Sequence, residues 1–177
     1  MNAVTAISAM VVTIVGATLP AQANPGRADM LAAFAQNCFS PYLTAATAEA
    51  AILPTGARTD FYDTNPFSDA APSPAPASAT PGTDRRCEVS FDGDAAEAAA
   101  EVAAQAAKAE GITTEAPIPQ THKTVRLPGT SLLAARFLNP NRIAVVHTGT
   151  RPGLNGIETF LSVERLTPEA SQREKTE

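Results

Sequence analysis

The chain has 177 residues, 44% of them hydrophobic, with no Trp, two Tyr and seven Phe. That suffices for one domain, but much of the apolar content is alanine, so each buried side chain removes little area from water. The net charge of −5 is spread over both signs without a basic patch, which excludes a phosphate-backbone partner; no nucleic acid is expected.

Residues 1–23 read as a signal peptide. Ala3 to Leu19 is uncharged and mostly apolar, Pro20 breaks the run, and Ala21-Gln22-Ala23 supplies the small residues of a cleavage site. Neither Lys nor Arg precedes the run, so a retained membrane anchor is the rival reading, and contact with a membrane is expected only if the segment is uncleaved. Export sets a periplasmic or secreted location. In such an oxidising compartment the two cysteines, Cys38 and Cys87, are expected to form one disulfide.

The segment 24–53 reads as helical. Met30, Leu31, Phe34 and Cys38 fall at helical spacing, and Ser40-Pro41 is expected to cap a second helix running to Ile52. The segment 54–86 reads as a Pro-rich loop with six prolines. Its island Asp60 to Phe67 carries Phe61, Tyr62 and Phe67, which either pin the loop to the domain or form a partner-binding patch.

Cys87, Val89 and Phe91 alternate with Glu88, Ser90 and Asp92, the period of a half-buried strand. Asp94 to Glu110 reads as a helix with ten alanines. Ala98, Val102, Ala106 and Ala109 are expected on its packing side, and Gly111 at its end. His122 to Leu127 is a short strand candidate. Ser131 to Leu138 and Arg142 to Thr148 flank a turn at Asn139 to Arg142, Gly149 to Gly156 reads as a longer loop, and Ile157 to Leu166 as the last strand. Residues 167–177 are polar and expected to fray. The expected fold is α+β: N-terminal helices, then a small, mostly antiparallel sheet with the Ala-rich helix across one face, 87–166 forming a single domain with 24–53.

The residues offer little chemistry. Asp94 as N-cap and Glu97 three positions on would close the helix start against an anion, and the Asp92-Gly93-Asp94 turn lacks the spacing of a calcium loop. His122 and His147 stand in no metal-ligand spacing, so neither metal nor cofactor is expected. The nucleophile motifs G-x-S-x-G and S-x-x-K are absent. His147, followed by the 149–156 loop, is the one candidate for a catalytic pocket.

In layout (a signal, a helix with Cys38, a Pro-rich stretch, then Arg85-Arg86-Cys87-Glu88-Val89-Ser90-Phe91-Asp92-Gly93-Asp94 and a strand-rich end) the chain resembles small exported proteobacterial proteins of unknown function. That resemblance implies neither an activity nor a functional residue. The sequence therefore points to a non-enzymatic exported protein of the bacterial cell envelope that binds another envelope protein. The alternatives are a small exported hydrolase using His147 and the 149–156 loop, or an accessory subunit of an envelope complex.

Overall fold

The computed structural model describes residues 26–176; the expected signal peptide lies outside the described residues. Six strands form one sheet: β1 (Arg58–Asp63), β2 (Thr83–Asp92), β3 (Glu115–Ala116), β4 (Thr130–Asn139), β5 (Arg142–Gly153) and β6 (Gly156–Leu166). Their order is β1-β2-β6-β5-β4-β3, and every neighbouring pair is antiparallel. Among the described residues five α-helices accompany it: α1 (Arg27–Asn37), α2 (Ala45–Ile52), α3 (Ala96–Ala109), α4 (Gln120–Thr124) and α5 (Pro168–Thr176). The α+β architecture is as expected, with the Ala-rich α3 against β4, β5 and β6.

Strand periodicity sorts the side chains onto two faces. Cys87, Val89, Phe91, Leu161, Val163 and Val146 point toward α1, α2 and α3 and form the main core with Phe34, Ala48, Ile52, Ala99 and Ala103. Alanine's small size is what lets α3 approach the sheet. Cys38, the residue after α1, is disulfide-bonded to Cys87 of β2, with Cα atoms 5.3 Å apart. A smaller second core of Ala135, Ile143, Val145, Leu166 and Ala170 lies on the opposite face.

Several elements differ from the sequence expectation, each for a local reason. The second helix begins at Ala45 rather than at Pro41. The Arg85 guanidinium takes the carbonyls of Ser40 (2.6 Å) and Pro41 (3.2 Å), acceptors a helix there would need, and Thr44 becomes the cap by accepting from the Thr47 N–H. The Asp94 and Glu97 capping box does not form. The Ala95 N–H donates to Thr159 Oγ1, Asp94 Oδ1 accepts from the Ala96 N–H two residues on, and α3 starts at Ala96. Its buried stripe is accordingly Ala99, Ala103, Ala106 and Ala107, while Val102 turns toward α1.

The Pro-rich segment contains β1, an edge strand on β2. His122 to Leu127 is not a strand: Pro119 opens α4, its carbonyl accepting from the His122 and Lys123 N–H groups. Gly149 to Gly156 is not a loop either. β5 and β6 stay paired as far as Gly153 and Gly156, which takes φ +114°, and only Leu154 and Asn155 turn. The tail is helical over Pro168–Thr176. Thr167 Oγ1 accepts from the Ala170 N–H, and buried Ser171 accepts from the Ile143 N–H.

Candidate functional site

The face of the sheet turned away from α1 to α3 carries polar side chains in rows. Antiparallel register sets Leu133, His147, Ser162, Glu88 and Asp60 opposite one another across five strands. One row away stand Val145, Glu164, Arg86 and Tyr62, and on the other side Gly149, Phe160, Ser90 and Arg58. Directly opposed side chains in such ladders have Cβ atoms about 4.5–5.5 Å apart. The rows are roofed from two directions. The Pro-rich loop brings Ser78 and Thr80, and the segment after α4 brings Val125 and Leu127. Together they enclose a cup of about 400 Å³.

Each arginine on this face is tied to two carboxylates. Arg86 reaches Glu164 at 2.5 Å and Asp60 at 2.9 Å. Arg151 reaches Glu88 at 2.5 Å and Glu158 at 2.6 Å, and Arg58 spans Glu158 (2.6 Å) and Asp92 (2.9 Å). Glu164 also accepts from Thr80 and pairs with His122 Nε2 at 2.7 Å. Burial pushes the Glu164 carboxyl up, but His122 and Arg86 together hold it below the usual carboxylate range. For Glu88 burial wins over Arg151 and the carboxyl is pushed up. Burial drives His147 down to about 4, so its ring is neutral at physiological pH. The ring meets Phe160 edge-on, with centroids 4.9 Å apart, and its Nε2 pairs with Thr130 Oγ1 at 2.8 Å.

Against this network of paired charges, two hydroxyls stand out. Ser90 and Ser162 are only 6% and 5% exposed and line the cup, yet neither Oγ has a hydrogen-bond partner among the described residues. No fully enclosed side-chain nitrogen or oxygen lacks a partner among those residues, so both hydroxyls open into the cup rather than being sealed beneath it.

The sequence-derived candidates are scattered. Cys38 and Cys87 are buried in the main core, away from the cup. Phe61 is half-buried beside that core, 5.1 Å from the Arg85 guanidinium. Tyr62 is wholly buried on the polar face, its hydroxyl paired with Thr83. Only Phe67 is exposed, at 69%, edge-on to exposed Tyr42, so the three aromatics do not form one patch. Among the described residues no group of three His, Cys, Asp or Glu is placed to hold a metal ion.

His147 does line a pocket, and the 149–156 stretch contributes Arg151 to it. The sequence reading missed Arg86, Glu88, Ser90, Ser162 and Glu164. Their signal was the alternation Arg86-x-Glu88-x-Ser90 and Glu158-x-Phe160-x-Ser162-x-Glu164, the positions between the core residues of β2 and β6.

Neither a family model, nor a curated protein, nor a solved structure matches the chain.

Proposed function

We propose that the chain is an exported, non-catalytic binding protein of the bacterial cell envelope that holds a small polar ligand in the cup on the open face of its sheet. The observation that carries this reading is the pair of unpartnered hydroxyls, Ser90 and Ser162, at the floor of a cup whose charges are already paired. A concave site of about 300–1,000 Å³ with a few convergent polar groups is the usual form of a small-molecule site. The disulfide is compatible with an oxidising compartment, and among the described residues no helix is long and apolar enough to cross a membrane. A second envelope protein, expected from the sequence, would find its footing on exposed Tyr42 and Phe67.

The test is a backbone-amide NMR titration of the disulfide-bonded protein with mixtures of small polar metabolites. Perturbations gathered at Ser90, His147 and Ser162 are expected. Perturbations confined to other surfaces would remove the cup from consideration.

The placement of His147 directly opposite Ser162 supports a second reading, a small hydrolase. A base and a nucleophile side by side are its minimum. Against it, burial that lowers His147 to about 4 makes the ring a weak base, its Nε2 is held by Thr130 rather than by an orienting carboxylate, and no His147–Ser162 hydrogen bond is present. Turnover of p-nitrophenyl acetate that disappears in both Ser162→Ala and His147→Asn would favour hydrolysis over binding alone.

A further inference from the structure

We infer that the ligand of the cup is a neutral polyhydroxylated molecule of monosaccharide size, an inference that rests on the binding reading above. Arg58, Arg86 and Arg151, the arginines that line the cup, are each engaged by two carboxylates, so none of these three guanidiniums is free to draw in a phosphate or carboxylate. Five carboxylates (Asp60, Glu88, Asp92, Glu158 and Glu164) share those three arginines, and the surplus repels an anion.

A metal ion fares little better. Both oxygens of Glu158 accept from arginine, and both of Glu164 are taken by Arg86, Thr80 and His122. Both oxygens of Asp92 are also engaged. The second oxygens of Glu88 and Asp60 are spare, too few for the about six to eight oxygen ligands of a calcium ion.

What remains is a set of groups that suits hydroxyls. Ser90 and Ser162 can each donate and accept, while the spare oxygens of Glu88 and Asp60 only accept. A guest hydroxyl can give its proton to a carboxylate and take one from a serine, so adjacent hydroxyls on one ring satisfy both kinds of group. His147 and Ser162 occupy neighbouring positions in one row, with Glu88 next along it, spacing the polar contacts along a line across the strands. The wall opposite is different in kind. Val125 and Leu127 present an apolar strip, complementary to the C–H face of a sugar ring. A cup of about 400 Å³ accommodates one such ring.

The test varies charge on one skeleton. Binding of D-glucose, D-galactose and N-acetyl-D-glucosamine is measured by saturation-transfer NMR and by amide shifts of the folded, disulfide-bonded protein, beside glucose 6-phosphate and glucosamine. A neutral sugar is expected to bind and to shift Ser90, His147 and Ser162, with the phosphorylated and amino forms at least tenfold weaker. Ser162→Val is expected to abolish binding, and Ser90→Ala to weaken it about tenfold, a second variant that serves if the first does not fold. Tighter binding of glucose 6-phosphate or glucosamine at the same amides would overturn the polyol inference while leaving the cup as a binding site. Sugar binding that shifts only distant amides, or is untouched by both serine variants, would overturn both. No binding by any of the three neutral sugars at about 10 mM, enough to half-fill a site whose Kd is as weak as about 10 mM, would overturn the polyol inference, and the metabolite titration then decides the cup separately.

Discussion

His147 and Ser162 stand directly opposite each other on β5 and β6, and the ring that faces this hydroxyl is one that burial keeps neutral down to about pH 4. In an unfolded chain the same ring takes its proton near pH 6.5. The unfolded state therefore binds the proton first on acidification, so His147 contributes stability that is present above about pH 6.5 and lost as the pH falls toward 4. Glu164 works in the same direction at lower pH: its carboxyl is held below the usual range, so its contribution is lost as pH falls through that folded value. Glu88, pushed up by burial, runs the other way. A comparison with His147→Gln isolates the ring from both. Urea denaturation at pH 7.5 and 4.5 is expected to show a loss in the parent that exceeds the variant's by roughly 1–2 kcal/mol, after allowing for solvent screening of a half-buried ring. Equal losses would mean that the ring titrates normally in the folded protein.

The ion pairs of the polar face are predicted to be unequal. Glu164 is buried and bound by Arg86, Thr80 and His122, whereas the Asp60 side chain is 43% exposed and holds Arg86 alone. Removing one partner of a buried pair leaves the other charge uncompensated, at about 3–5 kcal/mol, while an exposed pair is worth about 0–1 kcal/mol. Glu164→Gln should therefore lower the denaturation midpoint far more than Asp60→Asn. Similar midpoints for the two variants would show that solvent reaches Glu164 freely.

The core side of this arrangement was legible in the sequence because its signal is periodic. Cys87, Val89 and Phe91 announced a strand, and the pairing of Cys38 with Cys87 followed from parity and compartment. The site was not legible, for two physical reasons. First, the polar halves of β2 and β6 look like any solvent-facing half; that Ser90 and Ser162 are buried there shows only once Ser78, Thr80 and Leu127 are brought over the same face. Second, that roof has no period. The Pro-rich stretch follows its course through single hydrogen bonds, such as the Asp63 N–H to Ser73 Oγ at 2.7 Å, which no pattern encodes. The tail misled for the converse reason. Thr167-Pro168-Glu169 is a helix start, but with Ala170 as the one core contact its composition reads as solvent.

The disulfide is predicted to carry a large share of stability. Its partners are 49 residues apart, a loop for which the chain-entropy relation gives about 4 kcal/mol. The buried residues of α3, the helix packed on β4, β5 and β6, are all alanines, with little apolar area to offset that loss. A Cys38→Ala/Cys87→Ala double variant, or the reduced protein, is expected to unfold at a much lower urea concentration. Thiol titration of the denatured native protein should find no free thiol before reduction and two after it. An unchanged midpoint would place the stability elsewhere.

Gly149 tests whether the wall of the cup depends on backbone contact. It pairs with Thr130 and packs against the Gly129 backbone; a Cβ built on Gly149 would lie 2.3 Å from the Gly129 carbonyl oxygen and 2.8 Å from Thr130 Cα. Both are backbone atoms and cannot swing aside. Gly149→Ala must therefore push the start of β4 outward, weakening the Thr150 N–H bond to the Gly129 carbonyl and drawing Thr130 away from His147 Nε2. The expected cost is about 1–3 kcal/mol, with faster hydrogen exchange at the Thr150 amide and weaker ligand binding, since Leu127 of the cup wall lies only two residues before Gly129. Gly111→Ala supplies the contrast. Gly111 has φ +72° and open space around its Cβ, so its variant bears only the cost of a left-handed residue, about 1–2 kcal/mol, and leaves binding intact. If both glycine variants lowered stability but neither changed binding, the close approach of β5 to Gly129 would be a feature of the fold alone.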